Sequence, residues 1–174
     1  MPPEGPVIVA ANHASYLDPP LVSGLFRRPI GFMARYSLFR FKPFGWYISA
    51  LNAFPVSQEN PMSAIKACGE RLKNGEAVLI FPEGTRTLDG KLGPIKDGAS
   101  MLANKHKAAI LPVYIRGTFN SWPKGKCFPR WARIRAWIGD PIQPVDAEGK
   151  AIPTRELTRM LSEVLHAMEA AATH

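Results

Sequence analysis

This sequence predicts an α/β domain with a mixed, largely parallel β-sheet flanked by α-helices, and three observations carry that prediction. Continuous apolar runs at Val7–Ala11 (VIVAA), Ala77–Phe81 (AVLIF) and Ala108–Ile115 (AAILPVYI) read as strands buried on both faces, the mark of parallel sheets. Segments of helical period separate them, so strand and helix alternate along the chain. The length of 174 residues suits a single domain. With 46% hydrophobic and 21% charged residues, it is neither disordered nor too small to bury a core.

The elements follow in order. After the first strand ends at Asn12, Pro19-Pro20 opens a segment with Leu21, Val22, Leu25 and Phe26 at helical spacing, stopping near Pro29. Ile30–Ala34 reads as a strand, and Ile48–Val56 is mixed, with another strand expected within it. Asn60-Pro61 has the form of an N-cap followed by proline at the first helical position. That helix runs to Asn74 with Ile65, Cys68 and Leu72 on one face and Gly75 as its stop. The run at Ala77–Phe81 is the central strand. Thr87–Gly93 is a turn-rich connection, and Gly98–Lys107 a short helix with Met101 and Leu102 turned inward. Pro112 removes a ladder donor from the next strand and predicts a bulge or an edge. Thr118–Arg130 reads as a loop. Ala132–Ile138 alternates, placing Ile134, Ala136 and Ile138 on one face. From Thr154, apolar residues at Leu157, Met160, Leu161, Val164, Leu165 and Met168 form an amphipathic helix.

Composition narrows the function classes. Cys68 and Cys127 cannot make a disulfide framework and read as reduced thiols in a cytosolic setting. No apolar run approaches the ~18 residues of a spanning helix, and no signal peptide opens the chain. The formal net charge is +8, from 22 Lys+Arg against 14 Asp+Glu. It is concentrated: residues 19–58 and 98–139 contain no acid at all, and both stretches interleave Arg and Lys with aromatics. Single-stranded nucleic acid, an anionic bilayer and a solvated face over core aromatics all fit such stretches.

Open α/β sheets place their sites where strands run out into polar loops. The first strand runs into Asn12-His13-Ala14-Ser15-Tyr16-Leu17-Asp18. An imidazole with a carboxylate nearby is a base-and-orienter pair, or simply a capped turn. On a regular helix that spacing would put the two side chains roughly 140° apart, so they meet only if His13 lies in the loop and Asp18 on the following turn. The central strand runs into Phe81-Pro82-Glu83-Gly84-Thr85-Arg86. It delivers an acid, a glycine that permits close approach to the backbone, and an arginine able to clamp a phosphate, or else a plain turn with a surface ion pair. Walker, G-x-G-x-x-G, H-E-x-x-H and G-x-S-x-G patterns are missing, as is any Cys/His metal spacing. A general base and a phosphate clamp remain.

NHASYLD followed by FPEGTR, each at the end of an apolar strand, resembles the glycerolipid (lysophospholipid) acyltransferase family, whose central members are the 1-acylglycerol-3-phosphate acyltransferases. The likeness runs from Val7 to about Pro141. Asn12, His13, Ser15 and Asp18 match its first motif, and Phe81–Arg86 its third. Residues 35–56 resemble the second block, with Leu38, Pro43, Gly45 and Val56 in place, and Ile110-Leu111-Pro112-Val113 resembles the fourth. Gly98 and Ala99 suit the helix after the third motif. Arg35 and Ser37 stand where that family usually has lysine and glutamate, and Gln58 where it has a second phosphate-binding arginine. Members usually carry a hydrophobic or amphipathic segment before the first strand, so a compact version and a trimmed start both fit.

The resemblance implies one acyltransferase domain over 1–174, with a motif-bearing core at 7–141 and a C-terminal amphipathic helix at about 154–171. It implies acyl transfer from acyl-CoA or acyl carrier protein, as co-substrate rather than cofactor, to the hydroxyl of a lysophospholipid, above all 1-acyl-sn-glycerol-3-phosphate. His13 is then the base and Asp18 its orienter. Arg86 holds the acceptor phosphate with Glu83, Gly84 and Thr85 around it, and Asn12, Ser15 and Arg35 complete the substrate-binding set. No metal and no nucleic acid are expected. An anionic membrane surface is the expected partner, with the enzyme cytoplasmic and peripherally associated. A different lysolipid acceptor, thioester hydrolysis and a non-catalytic basic membrane-binding module are the alternatives.

Overall fold

A computed structural model describes residues 4–57 and 61–173. Its centre is a six-stranded sheet in the order β3-β2-β4-β1-β5-β6. The strands are β1 (Val7–Ala11), β2 (Ile30–Arg35), β3 (Ala53–Val56), β4 (Ala77–Ile80), β5 (Ala109–Arg116) and β6 (Arg135–Ile138). All neighbours pair parallel except β5 and β6, which are antiparallel. The helices are α1 (Asp18–Gly24), α2 (Tyr36–Arg40), α3 (Lys42–Ala50), α4 (Pro61–Lys73), α5 (Gly98–His106), α6 (Thr118–Ser121) and α7 (Thr154–Thr173).

The apolar runs are continuous because each strand serves two cores. Successive strand residues point to opposite faces. Ile8, Ala10, Val78, Ile80 and Ile110 therefore meet Cys68, Leu72, Leu102, Leu157, Leu161 and Leu165 on the α4–α5–α7 side. Val7, Val9, Leu79, Leu111 and Val113 pack on the other side with Val22 of α1 and Ile48 of α3. The three leucines of α7 are fully buried, so truncating any one to alanine costs about 2–5 kcal/mol. Burial pushes the Cys68 thiol up to about 12, which leaves it an inert core residue. Cys127 is exposed, and both cysteines are free.

Pro112 sits at a bulge, as its missing N–H requires. Ile110 bridges Ile142 while Val113 pairs with Ile138, so three chain steps on β5 face four on the opposing segment. Gly139 N–H donates to the Pro112 carbonyl at 2.9 Å, and nothing is asked of the proline nitrogen.

The strand expected within 48–56 is Ala53–Val56, and it follows α3, whose first turn holds Pro43, where its missing N–H costs nothing. Three expectations are corrected. Met101 faces outward at 42% exposure while Leu102 is buried, because α5 turns Ala99, Leu102 and Ala103 to the core. The alternating apolar face of β6 is not its buried face. Ala136 and Ile138 are exposed, while Trp137 packs on Tyr114 at 6.2 Å. The segment 118–130 opens with the short α6 rather than running wholly as loop. The Asn60 cap and Gln58 lie outside the described residues.

Candidate active site

β1 and β4 are hydrogen-bonded parallel neighbours, so their carboxyl ends release the first and third motifs side by side. The ~70-residue gap in sequence closes to bonding distance. Glu83 Oε1 accepts the His13 backbone N–H at 2.6 Å, and Oε2 accepts that of Gly93 at 2.9 Å. Thr87 N–H returns a bond to the His13 carbonyl at 2.9 Å. The His13 ring stacks on Phe81, centroids 3.9 Å apart and planes at 14°. The third motif and Thr87 just after it thus fix both backbone polar groups of His13 and one face of its ring.

Asp18 supplies the remaining constraint. It is the first residue of α1, ahead of Pro19 and Pro20, and wholly buried. Its Oδ2 accepts from His13 Nδ1 at 2.9 Å and from the N–H groups of Ala14 and Ser15 at 2.6 and 2.7 Å. The carboxylate can only accept, so Nδ1 carries the proton and Nε2 keeps its lone pair. Nε2 has no protein partner among the described residues, and the ring is partly exposed. The loop placement of His13 and the turn placement of Asp18 are what allow the pair to meet.

The remaining site candidates divide by what they touch. Asn12 is buried, and its amide donates to the Ile115 carbonyl at 2.9 Å and accepts from the Ile115 N–H at 2.7 Å. That extends the β1–β5 ladder past its last residue pair. Ser15, also buried, donates to the Trp122 carbonyl at 2.7 Å and accepts from Leu17 N–H at 3.1 Å. Both side chains are committed to the chain itself. Glu83 likewise holds backbone, and burial pushes its carboxyl above the usual range against the opposing pull of the Gly93 and His13 N–H groups. Gly84 takes φ +73°, and Lys96 Nζ stands 2.9 Å from where a Cβ would sit. Thr85 is exposed and lines a recess of about 400 Å³ together with Glu83, Thr87, Lys91, Gly93 and Lys96. The Arg86 guanidinium lies 3.6 Å over the Tyr16 ring, and its buried Nη1 lacks a partner among the described residues. Arg35 is exposed at the carboxyl end of β2, on the same sheet edge but separated from His13's strand by β4.

Three further residues act here without a mark in the sequence pattern. Tyr16 lies inside the first motif and carries Arg86, Lys96 reaches back over Gly84, and Glu169 of α7 accepts the Leu92 N–H at 2.9 Å. No group of His, Cys, Asp and Glu among the described residues could hold a metal ion.

Fold and site together define a class: an α/β domain whose sheet edge carries a carboxylate-oriented imidazole beside an uncommitted arginine. A family model described as "Acyltransferase" matches residues 1–116. The chain is 32% identical over 168 residues to the 1-acyl-sn-glycerol-3-phosphate acyltransferase of Bacillus subtilis, covering 95% of this chain and 80% of that protein. It is 35% identical over 147 residues to a chloroplastic enzyme of the same name from Arabidopsis thaliana, covering 82% of this chain but 41% of that one. Against the crystal structure of the 1-acyl-sn-glycerophosphate (LPA) acyltransferase of Thermotoga maritima, the TM-score is 0.80 at 33% identity, over 100% of this chain and 69% of that one. The chain belongs to the acyltransferase family. It spans less than half the length of the plant relatives it matches.

Proposed function

We propose that the protein transfers a fatty acyl group from a thioester, acyl-CoA or acyl carrier protein, to the free hydroxyl of 1-acyl-sn-glycerol-3-phosphate, giving phosphatidic acid. The observation that carries this reading is the His13–Asp18 pair, with Nδ1 bound to a buried carboxylate and Nε2 open. Nε2 takes the proton of the acceptor hydroxyl as its oxygen attacks the thioester carbonyl. The negative Asp18 stabilises the imidazolium that results. Collapse of the tetrahedral adduct breaks the carbon–sulfur bond, and the imidazolium proton passes to the departing thiolate. A thiolate leaves readily, so one base suffices and no acyl-enzyme is required.

Arg86 pairs with the acceptor phosphate. Its ring support favours this, since a planar fork held flat on Tyr16 is oriented for bidentate recognition, and its buried Nη1 has no counter-charge among the described residues. Lys96 in the adjoining recess adds attraction for anions, while Lys91 there is offset by Asp89. Asn12, Ser15 and Glu83 act by positioning the loop that carries His13, and Arg35 serves as a more distant cation on the same edge. The setting we propose is cytoplasmic and peripheral to the membrane. Among the described residues no helix is long and apolar enough to cross one.

The test is acyl transfer from labelled acyl-CoA to a panel of lysolipids. His13→Ala should lower the rate by about 10²–10⁴-fold while circular dichroism stays unchanged. Equal turnover in the variant refutes the base. Acylation of phosphate-free acceptors as efficiently as of the phosphate-bearing one refutes the acceptor assignment.

A further inference from the structure

We propose that the carboxyl edge of the sheet is a bilayer-docking face. In it the α2–α3 hairpin on one flank, and the loop between α6 and β6 on the other, seat aromatic side chains among anionic lipid headgroups. This deepens the acyltransferase reading by naming where lipid meets the protein, but the docking itself rests on separate observations.

Topology supplies the first. The hairpin begins where β2 ends at Arg35, and the loop follows the end of β5 at Arg116. In the order β3-β2-β4-β1-β5-β6, the strand that delivers His13 lies between β2 and β5. The two projections therefore leave the same edge as the imidazole, one on each side of it, their parent strands about 15 Å apart by the usual strand spacing.

Exposure supplies the second. On the hairpin Phe41 is 68% and Trp46 77% exposed, and on the loop Phe128 is 82% exposed and Trp131 fully so. Four large aromatic side chains stand outside the core on these two projections, clustered along the chain with Phe44 and Tyr47 rather than scattered singly.

These residues are displayed by ordered backbone. On the hairpin, a Cβ on Gly45 would stand 2.9 Å from the Phe39 carbonyl oxygen, so glycine lets α3 close on α2. Gly45 and Ile48 face the core while Phe44 and Tyr47 pack against each other outside. The loop is pinched at its base, where Arg130 N–H donates to the Ser121 carbonyl at 2.9 Å and Ser121 Oγ to the Arg130 carbonyl at 2.7 Å. Trp122 Nε1 closes it from inside on the Lys126 carbonyl at 2.8 Å. Phe128 and Trp131 remain outward on a loop held by these bonds.

Charge supplies the complement. Arg40 and Lys42 flank Phe41, and Lys124, Lys126, Arg130 and Arg133 surround Phe128 and Trp131, in two stretches without any acid. Aromatics at headgroup depth with Lys and Arg beside them are the composition of an interfacial anchor on an anionic leaflet. Single-stranded nucleic acid asks instead for a continuous groove of stacking platforms, whereas these aromatics stand on two separated projections.

The experiment is sedimentation with vesicles of phosphatidylcholine, with and without phosphatidylglycerol, monitored by tryptophan emission. The wild type should bind the anionic vesicles with a blue shift and release in high salt. The pairs Phe41→Ser/Trp46→Ser and Phe128→Ser/Trp131→Ser should each weaken binding about 100-fold, while Trp131→Phe keeps it. Each serine pair should still acylate a short-chain lysolipid dispersed as monomers, losing rate only on vesicle-embedded acceptor. Equal binding to neutral vesicles, unchanged binding in both serine pairs, or preferential binding of a single-stranded oligonucleotide overturns the proposal. A protein that binds anionic vesicles as described yet transfers no acyl group leaves docking intact and overturns the acyltransferase reading alone.

Discussion

Replacing Glu83 by glutamine should weaken the protein and its site together, and the size of the effect follows from what the carboxylate holds. Its two oxygens accept the N–H groups of His13 and Gly93 at 2.6 and 2.9 Å in a nearly sealed environment. Glutamine retains one acceptor and presents an NH₂ to the other N–H. One charge-assisted bond becomes neutral, and the second becomes a donor facing a donor. Each lost or orphaned bond costs about 1–3 kcal/mol. Against that, a neutral amide is cheaper to bury than a carboxylate, and burial is the dominant cause of the raised Glu83 pKa. The net loss should be about 1–3 kcal/mol near neutral pH, lowering Tm by roughly 2–4 °C per kcal/mol at this chain length.

The pH dependence has a definite sign. A carboxyl whose pKa is raised on folding binds its proton more tightly in the native state. Its stabilising contribution is full below the unfolded pKa and is lost as pH rises through the folded one. The wild-type advantage over Glu83→Gln should therefore widen toward acid pH, measured by thermal unfolding across a pH series. A gap that widens toward alkaline pH, or no change in Tm, refutes this account of the clamp.

Asn12→Ala orphans the buried N–H and carbonyl of Ile115 and should cost about 2–4 kcal/mol in denaturant unfolding. Gly117→Ala should cost about 3 kcal/mol or more, because φ is +96° and the new methyl would overlap the Arg133 carbonyl oxygen; a fall in Tm is the readout. Arg86→Lys keeps the charge but loses the fork and the flat stack on Tyr16. It should raise KM for the phosphate-bearing acceptor by about tenfold or more with a smaller change in kcat, visible in steady-state transfer assays.

What could be read in the sequence depended on where a residue's partner lies. β1, β4 and β5 were legible because strands sandwiched between two cores cannot alternate, and α7 because one of its faces is wet. The α2–α3 hairpin was not legible. Its phenylalanines, tyrosines and tryptophan have the composition of a core, but most of them face out, and the inward contacts fall to Gly45, Ile48 and Phe39. β6 misled for the same reason, since alternation marks two unlike faces without saying which is covered.

At the site, the His13–Asp18 pairing was foreseeable because both partners are side chains of complementary chemistry. The bonds from Glu83 to His13 N–H and from Asn12 to Ile115 were not. Every residue but proline offers a backbone N–H, so such bonds leave no sequence signal.

The position of β1 constrains the order in which the molecule can be made. Both of its ladder partners lie far downstream, Ala77 onward on one side and Ala109 onward on the other. During synthesis one edge of this strand can be paired only after about seventy more residues have emerged, and the other only after about a hundred. Such long-range pairing is slow and leaves apolar strand edges open meanwhile. The nascent VIVAA segment thus remains an open apolar strand edge through much of synthesis.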